Sequence, residues 1–174
     1  MNVFWVTSRA AGIAAVLFAS LSVGLGLAMA ARVVQGRLKD PRALHEALSL
    51  ATLAALAIHA VSLLGDSYTA FSVADITVPF AAAYHPVQMA IGIVAAYAMV
   101  LLSLSYYARG RIGAARWRTA HRFIAVAWGA GVLHGVLLGT DATRPWFLAA
   151  VGAAVLPTVA LLAARWTPSE EVPA

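Results

Sequence analysis

The sequence predicts an all-α integral membrane protein in which five transmembrane helices pack as one bundle. Three observations carry this expectation. Sixty-two per cent of the 174 residues are apolar, 11 % are charged, and the mean hydropathy is +0.83. Soluble domains carry about 25 % charged residues, so this chain lacks the charge to cover a water-facing surface. The apolar residues also fall into five runs, at about 10–32, 43–65, 85–107, 119–139 and 146–165, each near the ~20 residues that a bilayer core requires. Finally, the net charge of +5 comes from basic residues clustered between the runs. That pattern belongs to membrane topology rather than to phosphate binding. No cysteine occurs, which excludes disulfides, thiolate catalysis, cysteine-held zinc and iron–sulfur clusters.

The elements follow in order. The first span, 10–32, is preceded by Arg9 and contains Ala28-Met29-Ala30, a signal-cleavage pattern. Its apolar run exceeds that of a signal peptide and its leader is poor in charge, so it is expected to stay as a helix. Arg32, Arg37, Lys39 and Arg42 come next, and the second span carries His45 and His59. The long connection, 66–84, holds Asp66, Asp75 and Pro79; the third span opens at His85-Pro86, with proline suited to a first turn. Arg109, Arg111, Arg116, Arg118 and Arg122 surround the start of the fourth span, which carries His121 and His134. The fifth span leads to a polar tail at 167–174. Residues 1–166 are expected to be a single transmembrane domain, with no internal repeat apparent.

Orientation follows from the basic residues. Ten lie on one side, Arg165 included, and Arg9 and Arg144 on the other. The positive-inside rule puts the ten in the cytoplasm, hence an N-terminus outside, a cytoplasmic C-terminus and a multi-pass protein of the plasma membrane.

Ionisable side chains within a bilayer are costly and are functional candidates by default. His45 and His59 lie on one span and His121 and His134 on another, and the two spans run the same way. At about 1.5 Å rise per residue, His45 and His59 are roughly 21 Å apart, and His121 and His134 roughly 20 Å. Two levels, each with one histidine from each span, match the need of two bis-histidine haems: His45/His121 on an inner haem and His59/His134 on an outer one. Fourteen residues return a helix to within about 40° of the same face, but thirteen leave the other pair about 140° apart. Either the fourth span is overwound, with Gly129 and Gly131 placed to tolerate it, or the haems are approached from different sides. Core histidines bonded between helices are the plainer alternative.

Other residues fit the two-level scheme. Gly12 and Gly26 are also fourteen apart and would admit a macrocycle, or serve ordinary helix packing. Arg9 at one end, and Arg42, Arg118 and Arg122 at the other, are expected to pair with propionates, although topology alone accounts for the inner group. Trp128 stands midway between the levels as an electron relay or a packing residue. His85, with Asp66, Asp75 and Asp141, would form an outer acceptor site for a metal-ion substrate; capping a helix is the simpler role for His85.

The segment Trp117-Arg118-Thr119-Ala120-His121-Arg122 with His134-Gly135 and Gly139-Thr140-Asp141, and the run from His45-Glu46 through His59 to Gly65-Asp66, resemble the ferric reductase-like transmembrane domain. That superfamily includes ferric reductases, NADPH oxidases and the haem subunit of the periplasmic methionine sulfoxide reductase system. The resemblance covers roughly residues 9–141 and includes the fourteen- and thirteen-residue histidine spacings. It implies a haem-binding helical bundle with two b-type haems on the pairs above, and an Arg9 that faces the outer haem. Full-length ferric reductases and NADPH oxidases add flavin and nicotinamide domains, whereas no GxGxxG occurs here, and the spans number one fewer than in many members. His85-Pro86 is similar to the flavin-binding His-Pro of those domains but opens a helix on the outer side.

The expected function is di-haem transmembrane electron transfer. A cytoplasmic flavoprotein or a quinol is the donor, and ferric chelate or a redox protein outside is the acceptor. The chain would be an oxidoreductase module needing a separate donor, with flavin or quinone as a further cofactor. A non-catalytic haem subunit of a larger redox complex, and a haem-free scaffold or transporter component, are the alternatives.

Overall fold

The computed structural model describes residues 2–165; the tail expected at 167–174 lies outside them. The described residues are helical, without strands: α1 (Val3–Ala30), α2 (Pro41–Leu64), α3 (Val73–Thr77), α4 (Pro86–Leu104), α5 (Arg109–Ile112), α6 (Ala114–His121), α7 (Ile124–Leu138) and α8 (Pro145–Ala164). Five stretches are long and apolar enough to cross a membrane: α1, α2, α4, α6 with α7 taken together, and α8.

Local chemistry explains where these helices start. The Asn2 side chain accepts from Phe4 N–H and starts α1 seven residues before the expected boundary, so Arg9 lies within the helix. Asp40 caps α2 through Ala43 N–H, with Pro41 at the first position, where its missing N–H costs nothing. The short α3 was not expected, although Ser72-Val73-Ala74-Asp75 spells a reciprocal capping box, a signal readable from sequence. His85 occupies the cap position of α4 in the left-handed region, φ 42°, without a side-chain cap bond.

α1 is the central helix and packs against α2, α7 and α8. The buried face of α1 is built from small residues, among them Ser8, Ala11, Ala15, Ala19 and Ser20. In a bilayer, lipid competes for apolar contact, so association rests on close packing and interhelical hydrogen bonds. Both occur at Ser20: its hydroxyl accepts from Trp128 Nε1 at 2.9 Å, and its carbonyl accepts from Thr158 Oγ1 at 2.9 Å. α4 packs mainly on α7. Met99 of α4 and Trp128 of α7 meet Ala19, Val23 and Leu27 of α1 in the core.

The fourth span is broken rather than continuous. The bonds Phe123 N–H to Ala120 O, Val126 N–H to Phe123 O and Ala125 N–H to Arg122 O each close over three residues. Three residues wound at about 120° instead of about 100° reduce the 140° offset between His121 and His134 to about 80°. The span is therefore overwound, as one of the two expectations had it, but at Arg122-Phe123 and not at Gly129 or Gly131, which lie in the regular part of α7.

Candidate functional site

The four histidines meet across the bundle as two pairs. His45 and His121 have ring centroids 6.4 Å apart with planes at 85°. His59 and His134 line one cavity of about 290 Å³. Helices α2 and α6–α7 therefore run parallel, each backed by an antiparallel neighbour, α1 or α4.

Each imidazole is held through Nδ1 by a backbone carbonyl of the neighbour behind it. His59 faces Ser8 O at 2.8 Å and His45 faces Ser22 O at 2.9 Å. His134 faces Gln88 O at 2.8 Å, and His121 faces Leu102 O at 3.4 Å. A carbonyl oxygen only accepts, so each Nδ1 carries the proton and each Nε2 keeps its lone pair. None of the four Nε2 atoms has a hydrogen-bond partner among the described residues. No enclosed side-chain nitrogen or oxygen lacks a partner there, so the Nε2 atoms open onto free space.

Metal-ligating histidines almost always spend the second ring nitrogen this way, which fixes tautomer and orientation. At a metal–nitrogen distance of about 2.0–2.1 Å, two imidazoles on opposite sides of one ion place their ring centres about 6 Å apart. The His45/His121 separation matches. The space at the two levels differs: about 30 Å³ lies between His45 and His121, lined also by Ser22, Ser49 and Thr52, against about 290 Å³ at His59/His134. The His59/His134 level thus offers a large planar ligand both donors and room, whereas the His45/His121 level offers the donors but, at about 30 Å³, not the room. The chain matches no family model, no curated protein and no solved structure.

Glycines make the histidine placement sterically possible. A Cβ on Gly12 would lie 3.0 Å from His59 Nδ1, and one on Gly26 would lie 3.2 Å from His45 Cε1. At Gly12 and Gly26 an imidazole lies directly against the backbone, and Gly12 also lines the cavity at His59 and His134. Gly92 of α4, not anticipated, plays the same part for His134 more tightly still. His121 has instead Trp117, stacked on it at 4.9 Å and 23° and anchored by Nε1 to Ser105 Oγ at 3.1 Å.

The polar residues divide differently from expectation. Arg9 forms a two-pronged ion pair with the buried carboxylate of Asp141 and sits over the Trp5 ring at 5.1 Å. It lines the cavity with its charge already partnered. Arg42, Arg118 and Arg122 are exposed near His45 and His121. Trp128 is buried in the core and lines the cavity, bonded to Ser20 between the two levels. The acceptor group expected from His85, Asp66, Asp75 and Asp141 does not assemble. Among the described residues no three His, Cys, Asp or Glu side chains gather as a metal site. Asp66 is buried and accepts from Asn2 Nδ2, Tyr68 N–H and Thr69 Oγ1. Burial alone would raise its carboxyl, but these bonds outweigh that and hold it below its ordinary value. Asp75 serves the α3 capping box, and His85 packs edge-on to Tyr84 at 4.4 Å. Each carboxylate is already partnered: Asp75 locally, in a capping box the sequence spells, and Asp66 and Asp141 by Asn2 and Arg9 from far along the chain, which the sequence pattern did not disclose.

Proposed function

We propose that this chain is a di-haem membrane electron-transfer protein, with b-type haems held by His45/His121 and His59/His134. The observation that carries the reading is the common geometry of the four imidazoles: Nδ1 spent on a backbone carbonyl behind, Nε2 free in front, paired at two levels. Histidines serving only to link helices would have no reason to leave four acceptor nitrogens open, two at each level.

When bound, the haems would supply one-electron carriers on the two sides of the membrane. The chain's own residues hold the rings in place. The α1 and α4 carbonyls orient the ligands, and Gly12, Gly26 and Gly92 let the helices come close enough to do so. Trp128, Ala19 and Met99 pack together in the core between the two levels. The ten basic residues assign the His45/His121 end to the cytoplasm. A cytoplasmic flavoprotein or quinol is then the donor, and an outside acceptor such as ferric chelate or a redox protein takes the electrons. The resemblance to the ferric reductase-like transmembrane domain supports the same assignment.

The test is a dithionite-reduced minus oxidised spectrum of purified protein, followed by His59→Ala. A b-type α-band is expected, reduced by about half in the variant, with electron transfer across vesicles abolished. Absence of the band in the parent protein, or transfer at the parent rate in His59→Ala, overturns the reading.

A further inference from the structure

Ser8 and Ser22 do more than lend a backbone carbonyl. The Ser8 hydroxyl lies 3.0 Å from His59 Nδ1 and donates to His59 O at 3.1 Å. The Ser22 hydroxyl lies 3.2 Å from His45 Nδ1 and pairs at 2.8 Å with Ser49 Oγ, which donates to His45 O at 2.8 Å. The Nδ1 proton is thus shared between the carbonyl and the hydroxyl of one serine, and that hydroxyl also reaches the backbone of the residue whose ring it holds, directly from Ser8 and through Ser49 from Ser22. In each case a glycine follows four residues later, Gly12 after Ser8 and Gly26 after Ser22, and takes the ring edge against its bare Cα. The unit Ser-x-x-x-Gly recurs at a fourteen-residue step on α1, antiparallel to the fourteen-residue step from His45 to His59 on α2. On the opposite side His134 and His121 have a carbonyl but no hydroxyl at Nδ1.

We infer that Ser8 and Ser22 are positioning residues, each of which locks one α2 imidazole through a hydroxyl clamp, Ser8 at the His59 level and Ser22 at the His45 level. The inference rests on the di-haem reading and sharpens it: every level has one clamped ligand from α2 and one held by a single bond from α6–α7. A hydroxyl acting at second-nearest range tunes the basicity and orientation of the ring it touches, and loss of such partners weakens metal retention about 10–100-fold.

The experiment compares Ser8→Ala and Ser22→Ala in the full-length, haem-loaded protein by ferric low-spin electron paramagnetic resonance and redox titration. Ser8→Ala is expected to move the resonance and midpoint of the His59/His134 level alone, and Ser22→Ala those of the other level alone. Ser8→Thr is expected to restore the parent signature, whereas the isosteric Ser8→Val, without a hydroxyl, is not. Equal behaviour of Thr and Val at position 8, unchanged signals in both Ala variants, or equal shifts at both levels in either one would overturn the inference while leaving the haem reading intact. If the parent protein binds no haem, the di-haem reading fails separately. Histidine-selective ¹⁵N spectra of the same preparation then decide the clamp. His45 and His59 are expected to be Nδ1-protonated in the parent and to stay so in the Ala variants, because the backbone carbonyl remains, with the Nδ1 resonance of the matching histidine alone shifted in each variant; unchanged spectra would overturn the clamp. Should the Ala variants fail to accumulate, the difference between Thr and Val at position 8 tests the same clamp.

Discussion

Gly92 and His134 are in contact across the α4–α7 interface so closely that the glycine admits no side chain. The equivalent approach of Gly12 to His59 leaves 3.0 Å for a Cβ, and that of Gly26 to His45 leaves 3.2 Å. Alanine substitutions should therefore grade in severity. Gly92→Ala is expected to cost the most, at the upper end of the about 1–3 kcal/mol typical of overpacking, and Gly26→Ala the least. Thermal unfolding in detergent measures the order; an equal cost at all three positions would mean that the rings move aside freely.

Arg9 and Asp141 join the N-terminal part of α1 to the turn after α7. Removing a partner from a fully buried pair costs about 3–5 kcal/mol, but the Arg9 side chain is 37 % exposed and Asp141 only 5 %. Losing Arg9 leaves the Asp141 carboxylate enclosed without its ion-pair partner, and as the pair is only partly enclosed to begin with, Arg9→Ala is expected to destabilise by about 1–3 kcal/mol. Asp141→Asn should cost less, because it leaves no unpaired buried charge. Denaturant unfolding of the two variants checks the order.

Asp75 is held below the ordinary carboxylate range by the Ser72 side chain first and the Ser72 backbone N–H second. Its folded value is depressed, so its contribution is complete above the ordinary carboxylate value and is lost as pH falls through the lowered one. Amide exchange in α3 should accelerate selectively across that acidic window. Asp75→Asn is expected to remove the pH dependence, and persistence of the dependence in that variant would assign it elsewhere.

The overwound turn at Arg122-Phe123 sets the relation between His121 and His134. Inserting one alanine between Phe123 and Ile124 would rotate His121 by about 100° and displace it by about 1.5 Å. Under the di-haem reading, the His45/His121 level is expected to lose its haem while the His59/His134 level keeps it. Optical spectra and haem content per chain report this directly, and retention of two haems would show that the turn absorbs the change.

Much of the site was legible because periodicity is local. The fourteen-residue step of His45 and His59 put two rings on one face of α2, and Gly12 and Gly26 repeated the step on α1. Ser8 and Ser22 carry that same step and could have been found by it. Gly92 could not, since a lone glycine in an apolar helix has many uses. The thirteen-residue step on the fourth span announced a distortion without locating it: Gly129 and Gly131 permit one, whereas the break occurs where α6 ends at His121.

By itself the sequence determined an all-helical chain with five stretches apolar enough to span a membrane, and two histidines on each of two such stretches. Composition and helical rise suffice for both. Only the tertiary structure decided what each polar group touches. It took Asp66 to Asn2 and Asp141 to Arg9, away from the expected acceptor site, whereas the Asp75 cap is local and spelled by the sequence. It also set imidazole against Gly12 and Gly26, and it aimed the Nδ1 of each of the four paired histidines at a carbonyl. Those outcomes depend on which helix lies behind which, and packing between segments far apart in the chain sets them.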